Sequence, residues 1–216
     1  MNKLHRLYVD SELTPGNQYN LDSNASNYLI KVLRHTSGQQ IQCFNGIGKE
    51  AICTISSHSN REILIEVNQI LSESVQTLPK LHLAIGLLKG QAMDRAIQHA
   101  TELGATDIWL LQSERSNTHY NEKRLISKVE HWKKVMISSA QQCGETFLPS
   151  IHGPNNIYDV FEQTQSAEKM IFDPLGVPLE KDLIVKERIL FIGPEGGWSA
   201  IERNYFETQK VSLYSL

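Results

Sequence analysis

Residues 188–202 combine an apolar strand, a glycine-rich loop and the start of a helix, an arrangement that can hold a ligand. The loop, residues 193–197, reads Gly-Pro-Glu-Gly-Gly, and its paired glycines permit a positive φ or a close approach of the backbone to a ligand. It lacks the third glycine of a dinucleotide-binding loop and the Gly-Lys-Ser/Thr of a phosphate-binding loop. Glu195 would repel a pyrophosphate but could favour a cationic ligand such as a sulfonium. The loop therefore indicates a site for a cationic ligand, with an ordinary strand-to-helix turn as the alternative.

Local patterns predict the elements that position this loop. Residues 188–192 form a short apolar run that favours a buried parallel strand. Ser199 and Glu202 have the spacing of a capping box, which predicts that a helix begins there. From about Leu81 onward strand and helix patterns alternate, which is typical of an α/β sheet covered by helices. We expect strands over 81–88, 107–111, 169–172, 188–192 and 211–216, and helices over 93–103, 122–143 and 158–163 and after Ser199.

The first 72 residues have a different pattern, mostly strands with one helix. Residues 22–24 can cap a helix whose apolar face comprises Ala25, Tyr28, Leu29, Val32 and Leu33. Asn45-Gly46 lies between two strand patterns and favours a tight hairpin turn. Together with strands over 7–9, 40–44, 49–55 and 63–67, this pattern predicts a small barrel. The polar stretch 73–80 is the expected linker, so we divide the chain into domains 1–72 and 81–216.

Composition and charge exclude several classes of protein. The chain has 216 residues, a hydrophobic fraction of 40% and a net charge of −3, which argue for a globular protein and against one that coats nucleic acid non-specifically. No run is apolar enough for a signal peptide or a membrane span, so we expect a cytoplasmic protein with no membrane partner. Cys43, Cys53 and Cys143 have no paired spacing, and the eight histidines are scattered. We therefore expect buried thiols and no metal site.

Several segments in the same order resemble a known family, the bacterial 16S ribosomal RNA uridine-N3 methyltransferases of the SPOUT superfamily. The resemblance is carried by Ile-Gly-Pro-Glu-Gly-Gly-Trp-Ser at 192–199 and by Ala-Thr-Glu-Leu-Gly at 100–104, and also by Lys89-Gly90, Met93-Asp94 and Glu202. Ser-Glu-Arg-Ser at 113–116, Val-Leu-Arg at 32–34 and Gln-Cys-Gly at 142–144 match as well. The resemblance spans essentially the whole chain.

The resemblance implies a fold and a set of partners. An N-terminal PUA-like β-barrel would hold RNA, and a C-terminal α/β domain would bind S-adenosylmethionine in a trefoil knot. Such enzymes are homodimers that act on 16S ribosomal RNA in the small ribosomal subunit. The family pattern also continues beyond the last strand into an Arg-Ile-Leu-Arg-Thr-Glu-Thr-Ala-like segment that completes the cofactor pocket, and the sequence stops before it. Two interpretations stay open: the sequence is truncated at its C-terminal end, which leaves the knot incomplete in this chain, or the protein lacks a finished cofactor site.

The resemblance also implies site residues. Those expected to line the cofactor pocket are Phe172, Asp173, Pro174, Ile192, Gly193, Pro194, Glu195, Gly196, Gly197, Tyr214, Ser215 and Leu216. Methylation at N3 of uracil requires a proton to leave the ring, and Glu195 is the loop carboxylate that could accept it. Turn formation or helix capping is an alternative role for Glu195. The candidate phosphate contacts are Arg6, Lys31, Arg34, Lys89 and Arg115, each with a solvated surface charge as its alternative.

Two other functions stay open from the sequence. One is a non-catalytic RNA-binding or ribosome assembly factor, because the expected C-terminal segment is absent from the sequence. The other is a small-molecule methyltransferase. Methylation assays on small ribosomal subunits and on free nucleosides would distinguish the three functions.

Overall fold

A computed structural model describes residues 4–58, 62–76, 79–179 and 187–215 of the chain. The chain divides into two compact units, the first comprising Met1–Thr77 with Ala140–Leu148 and the second comprising Leu78–Ser139 with Pro149–Leu216. The sequence analysis expects a linker at 73–80 between the two domains. It did not predict that the segment Ala140–Leu148 belongs to the first unit, because that association depends on contacts distant in sequence.

The first unit is built on a five-stranded sheet with the order β1-β3-β4-β5-β2. Strand β1 runs parallel to β3, and the other neighbours pair antiparallel. The predicted turn at Asn45-Gly46 joins β3 to β4, and Gly46 has a φ of 76°. The strands are β1 (Arg6–Tyr8), β2 (Gln18–Asn20), β3 (Gln40–Phe44), β4 (Lys49–His58) and β5 (Ile63–Glu73).

The helical segment of the first unit starts as predicted but turns differently. Helix α1 (Ser23–Asn27) is capped by the Asp22 carboxylate, which accepts from the Ala25 amide at 2.7 Å. It continues into a π-helical turn over Tyr28–Val32. Leu29 is buried in the core, whereas Tyr28 is 42% exposed and Val32 64% exposed. Both side chains were expected on the buried face, and they face solvent instead.

The second unit contains a six-stranded sheet in which all neighbouring strands pair in parallel, with the order β11-β9-β10-β6-β7-β8. The strands are β6 (Leu81–Gly86), β7 (Asp107–Leu111), β8 (Ser150–Asn155), β9 (Glu168–Pro178), β10 (Arg188–Ile192) and β11 (Leu213–Ser215). The helices are α2 (Gln91–Glu102), α3 (Glu122–Cys143), α4 (Ile157–Gln163) and α5 (Ala200–Thr208). The α/β class is therefore confirmed, and β8 is a strand that the sequence patterns did not predict.

The core of the second unit is apolar and rich in aromatic side chains. Phe191 from β10 is fully buried, and its ring centroid lies 4.9 Å from that of Phe161 in α4. Trp109 and Trp132 are buried, as their positions in the apolar patterns predicted. All three cysteines were expected to be buried; Cys43 and Cys53 are buried, whereas Cys143 is exposed. Within the described part of the chain, no helix combines the length and the apolar character that a membrane span requires.

The amino-terminal edge of this sheet carries a network of histidines and carboxylates. His82 lies 2.8 Å from Glu187 and 3.3 Å from Asp107, and His152 lies 2.7 Å from the other Asp107 oxygen. Burial acts to raise the pKa of Asp107, but hydrogen bonds from His152 and Thr106 and the nearby histidine charges together hold it below its usual value. The hydrogen bond from His82 lowers the pKa of Glu187. The network joins the starts of neighbouring strands on the edge opposite to the glycine loop.

Candidate functional site

The glycine loop lies where the strand order of the parallel sheet reverses. Strands β7 and β8 lie on one side of β6, and the later strands β9, β10 and β11 lie on its other side. The reversal therefore falls between the neighbouring strands β6 and β10. Ligands of open α/β sheets bind at the carboxyl ends of strands at such a point. Gly86 ends β6 and faces the loop after β10, since a Cβ at Gly86 would lie 2.5 Å from the Pro194 nitrogen. The two backbones therefore meet without room for a side chain.

The loop is closed on one face and open on another. The Gly197 amide donates to the Pro194 carbonyl at 2.8 Å, and Gly197 has a φ of +66°, where a side chain would be strained. No atom lies within 4 Å of the position that a Cβ at Gly197 would occupy. Trp198 is 1% exposed and packs under Gly193. The loop is thus anchored by Trp198 and has free space beside Gly197.

The capping box predicted after the loop is confirmed and does more than start the helix. The Ser199 hydroxyl accepts from the Glu202 amide at 3.1 Å, and Glu202 Oε2 accepts from the Ser199 amide at 2.7 Å. Glu202 is 3% exposed, and its Oε1 accepts from the Ser113 hydroxyl at 2.7 Å and from the Glu114 amide at 3.1 Å. One buried carboxylate therefore ties the loop after β10 to the loop after β7. The sequence analysis identified the motif at 113–116 but did not predict that Glu202 binds it.

Arg115 contacts the loop from the same side. Its Nη1 donates to the Gly196 carbonyl at 3.2 Å, and a Cβ at Gly196 would lie 3.2 Å from the Arg115 Cβ and carbonyl oxygen. Arg115 is exposed. The space next to Gly196 is therefore taken by Arg115, and the glycine is needed for this close packing.

Asp173 supports the neighbouring wall through its carboxylate. The side chain is fully buried, with Oδ1 accepting from the Leu175 amide at 2.8 Å and Oδ2 from Arg203 Nε at 2.9 Å. Both carboxylate oxygens accept hydrogen bonds from protein groups, so Asp173 stabilises the turn at 173–175. This arrangement fits a positioning role better than direct contact with a ligand through the carboxylate.

The remaining predicted wall residues lie where β9 meets β11. The Phe172 carbonyl accepts from Trp198 Nε1 at 2.9 Å, which joins this wall to the glycine loop. The rings of Phe172 and Tyr214 have centroids 6.4 Å apart, and Ser215 pairs with β9. A Cβ at Gly176 would lie 2.4 Å from the Tyr214 carbonyl carbon, so the two backbones pass very close. Leu216 lies outside the described residues.

Glu195 projects from the tip of the loop. It is exposed, and within the described ranges its carboxylate has no hydrogen-bond or ion-pair partner. Helix capping is performed by Ser199 and Glu202, so capping is not the role of Glu195. The carboxylate is thus available to a ligand or to a proton.

The other predicted basic contacts differ in their surroundings. Lys31, Arg34 and Lys89 are exposed, and Arg34 has a positive φ of 55° at the end of the helical segment. Arg6 is only 9% exposed; it pairs with Glu50 at 2.5 Å, and its Nη2 donates to the Glu145 carbonyl at 2.7 Å. The Arg6 guanidinium is thus engaged within the first unit, and we assign Arg6 a structural role in place of the expected phosphate contact. No group of three or more metal-binding side chains occurs among the residues that the structure describes.

The reversal of the parallel sheet and the loop that it carries define an α/β domain with a ligand-binding loop at the carboxyl ends of its strands, and comparisons with known proteins identify the family. Residues 76–216 match the family model of the RNA methyltransferase domain, and residues 21–68 match that of the RNA methyltransferase PUA domain. The chain belongs to this RNA methyltransferase family. Within the family it is similar to Ribosomal RNA small subunit methyltransferase E of Buchnera aphidicola subsp. Schizaphis graminum, at 30% identity over 218 residues, 98% of this chain and 85% of that protein.

Two solved structures have a similar fold. A methyltransferase from Legionella pneumophila, in complex with the bound cofactor SAM, matches with a TM-score of 0.92 and 27% identity, covering 99% of this chain and 89% of that one. Ribosomal RNA small subunit methyltransferase E from Neisseria gonorrhoeae, bound to S-adenosyl methionine, has the same fold. Its TM-score is 0.89 at 21% identity, with coverage of 99% and 89%.

Proposed function

We propose that this protein transfers the methyl group of S-adenosylmethionine to N3 of a uridine in 16S ribosomal RNA of the small ribosomal subunit. The observation that carries the proposal is the loop at 193–197, set at the strand-order reversal with open space beside Gly197. The RNA class of the substrate is supported by the family to which the chain belongs. The choice of uridine N3 rests on the resemblance of the sequence motifs.

The residues present fit this cofactor. The loop offers backbone groups beside free space, and Glu195 supplies a negative charge near which a sulfonium would be stabilised. We propose that the cofactor is held by Ile192, Gly193, Pro194, Gly196 and Gly197, and that Phe172, Pro174, Tyr214 and Ser215 form the neighbouring wall. The cofactor would supply a methyl group on a positively charged sulfur, ready for in-line displacement.

The protein must then orient the uracil ring and remove its N3 proton. Orientation lowers the barrier because the reacting atoms no longer need to find one another in solution. Glu195 is the exposed loop carboxylate, and we propose that it accepts the N3 proton as the new N–C bond forms. Arg115 and Lys89 lie on loops at the same edge of the sheet, where we propose that they contact RNA phosphates.

We propose that the first unit, with its PUA-like domain, holds RNA. Lys31 and Arg34 are exposed there, and Tyr28, close to them in sequence, is exposed as well. Positive charge near an aromatic ring is the usual composition of a single-stranded RNA surface. The trefoil knot, the homodimer and the cytoplasmic location rest on the resemblance and on the ribosomal RNA substrate, and we include them in the proposal.

Calorimetry with S-adenosylmethionine tests the site. Gly197→Val should weaken binding at least about tenfold, because a branched side chain would enter the free space beside the loop. Gly104→Val is a matched control, since Gly104 also has a positive φ, +76°, with nothing within 4 Å, but ends α2 away from the loop. Equal affinities of the two variants, or no binding by the unaltered protein, would refute the proposed site. Methyl transfer to small ribosomal subunits then tests the substrate.

A further inference from the structure

Helix α3 carries an excess of positive charge. Five of its residues are Lys or Arg and two are Glu, whereas the chain as a whole has a net charge of −3. At 3.6 residues per turn, four of the five cations fall within one sector of the helix, about 140° wide, and neither glutamate falls there. We call the charged and polar side chains of this sector over 123–134 the cationic face. They are Lys123, Arg124, Ser127, Lys128, His131 and Lys134.

The other side of α3 holds the helix against α2. Trp132 is 1% exposed, and its Nε1 donates to Asp94 Oδ1 at 3.2 Å. The Ser139 hydroxyl donates to the Glu102 carboxylate at 3.2 Å, and His131 Nε2 lies 3.0 Å from Asp94 Oδ1. In these contacts the two α2 carboxylates serve side chains other than the lysines and the arginine of the cationic face. The helix is therefore fixed in place while its cations stay available.

The four cations of this face lack anionic partners. Three of them are exposed and Lys128 is half-buried, and none forms an ion pair with another described residue. Arg124 lies over the ring of Tyr120, 5.7 Å from its centroid. Glu130 borders the face but makes no ion pair with Lys134, four residues later. Arg124 and Lys128 are like charges four residues apart, which repel each other, so an anion bound across the face would relieve this repulsion.

The size and composition of the cationic face indicate the kind of anion that it fits. Lys123 and Lys134 lie three turns apart, about 16 Å along the helix axis, so a partner that contacts both is an extended polyanion. The face offers no exposed aliphatic side chain, such as the core of a protein interface or a membrane-binding helix uses. Apart from His131 it has no exposed ring on which the bases of a single strand would stack, because Tyr120 packs edge-on against Trp132.

We propose that the cationic face of α3 binds the phosphate backbone of a double-helical segment of the RNA substrate. Double-stranded RNA is recognised mainly through its phosphates and 2′-hydroxyls and little through its bases. Lys, Arg and Ser are side chains that make such backbone contacts. The inference rests on the proposed RNA substrate, and it adds a surface of the second unit that positions the RNA without reading its sequence.

Fluorescence anisotropy with the full chain tests this inference, using a labelled RNA duplex and a single strand of the same length over a series of salt concentrations. Lys123→Ala and Lys134→Ala should each reduce the magnitude of the slope of log K against log salt for the duplex by about one, and the double variant by about two. The double variant should bind the duplex about tenfold more weakly and the single strand with a smaller loss. Arginine at both positions keeps the charge and should keep the affinity. Lys133→Ala is the matched control and should leave the slope unchanged, since Lys133 is exposed on the same helix but outside the cationic face.

Other outcomes would overturn the inference. Equal slopes for Lys133→Ala and Lys134→Ala, or an unchanged duplex affinity in the double variant, would show that this face does not bind the duplex. Equal losses for the duplex and the single strand would show that a double helix is not the preferred partner. Competition by poly-glutamate as effective as that by unlabelled duplex would point to an acidic protein surface. Calorimetry with S-adenosylmethionine and methylation of small ribosomal subunits by the unaltered protein test the proposed function separately, because both would persist if only the duplex contact were wrong.

Discussion

Glu202→Gln tests whether one buried carboxylate holds the site together. The Glu202 side chain accepts from three donors, the Ser113 hydroxyl and the Glu114 amide on one oxygen and the Ser199 amide on the other. Glutamine has nearly the same shape but keeps only one acceptor. Whichever way its amide is placed, an NH₂ group faces at least one donor in a site that is 3% exposed.

The expected cost follows from these contacts. Losing a hydrogen bond to a charged group and burying an unpaired donor each cost about 1 to 3 kcal/mol, so we expect a total loss of about 3 kcal/mol in the free energy of unfolding. In a chain of 216 residues, about 3 kcal/mol corresponds to a fall in Tm of roughly 6 to 12 °C. Affinity for S-adenosylmethionine should fall as well, because the loops after β7 and β10 are no longer tied.

Urea denaturation and thermal melting measure the loss directly. Glu207→Gln is the matched control, since Glu207 is exposed on the same helix. Ser113→Ala alone and combined with Glu202→Gln completes a double-mutant cycle, in which we expect a coupling energy of about 1 kcal/mol. The tether would be refuted if Glu202→Gln and Glu207→Gln lost the same stability, or if the Ser113 and Glu202 effects were simply additive.

Three further perturbations have distinct readouts. Glu195→Gln should slow methylation of small ribosomal subunits at saturating S-adenosylmethionine and should also raise the Kd for S-adenosylmethionine, because the charge near the sulfonium is lost; an unchanged rate would exclude Glu195 as the proton acceptor. Lys31→Ala and Arg34→Ala should each weaken RNA binding at all sequences and reduce the salt slope of log K by about one, and an unaltered slope would argue against phosphate contacts. The pKa values of the Asp107 and Glu187 carboxyl groups lie below their usual values in the folded protein. The two carboxylates therefore stabilise the fold above about pH 4, and this stabilisation is lost as the pH falls through their lowered pKa values. Asp107→Asn should therefore be less stable than the unaltered protein near pH 7 and converge with it in acid, and a constant difference in denaturation experiments would contradict this assignment.

Local signals in the sequence predicted much of the fold. The capping box at Ser199 and Glu202 needs only residues three apart, and both of its hydrogen bonds are formed. Helix α3 ends at Cys143, as the following Gly144 predicted. Gly144 has a φ of 95°, and glycine adopts such a positive φ more easily than other residues. Strand β8 escaped prediction because Gly153 and Pro154 interrupt its pattern, and such residues normally mark turns. The strand exists because it pairs with β7, which no local pattern reveals.

The site itself depends on contacts that the sequence does not encode locally. The Gly-Pro-Glu-Gly-Gly motif indicated a ligand loop, but nothing near it in sequence predicted that Gly86 faces Pro194 or that Trp198 donates to the Phe172 carbonyl. Those contacts require the β6–β10 and β9–β10 pairings, which bring together segments far apart in the chain. Arg6 shows the same limit in the first unit, since its positive charge suggested RNA whereas the fold pairs it with Glu50. A charged residue is therefore assignable to a ligand only after its neighbours are known.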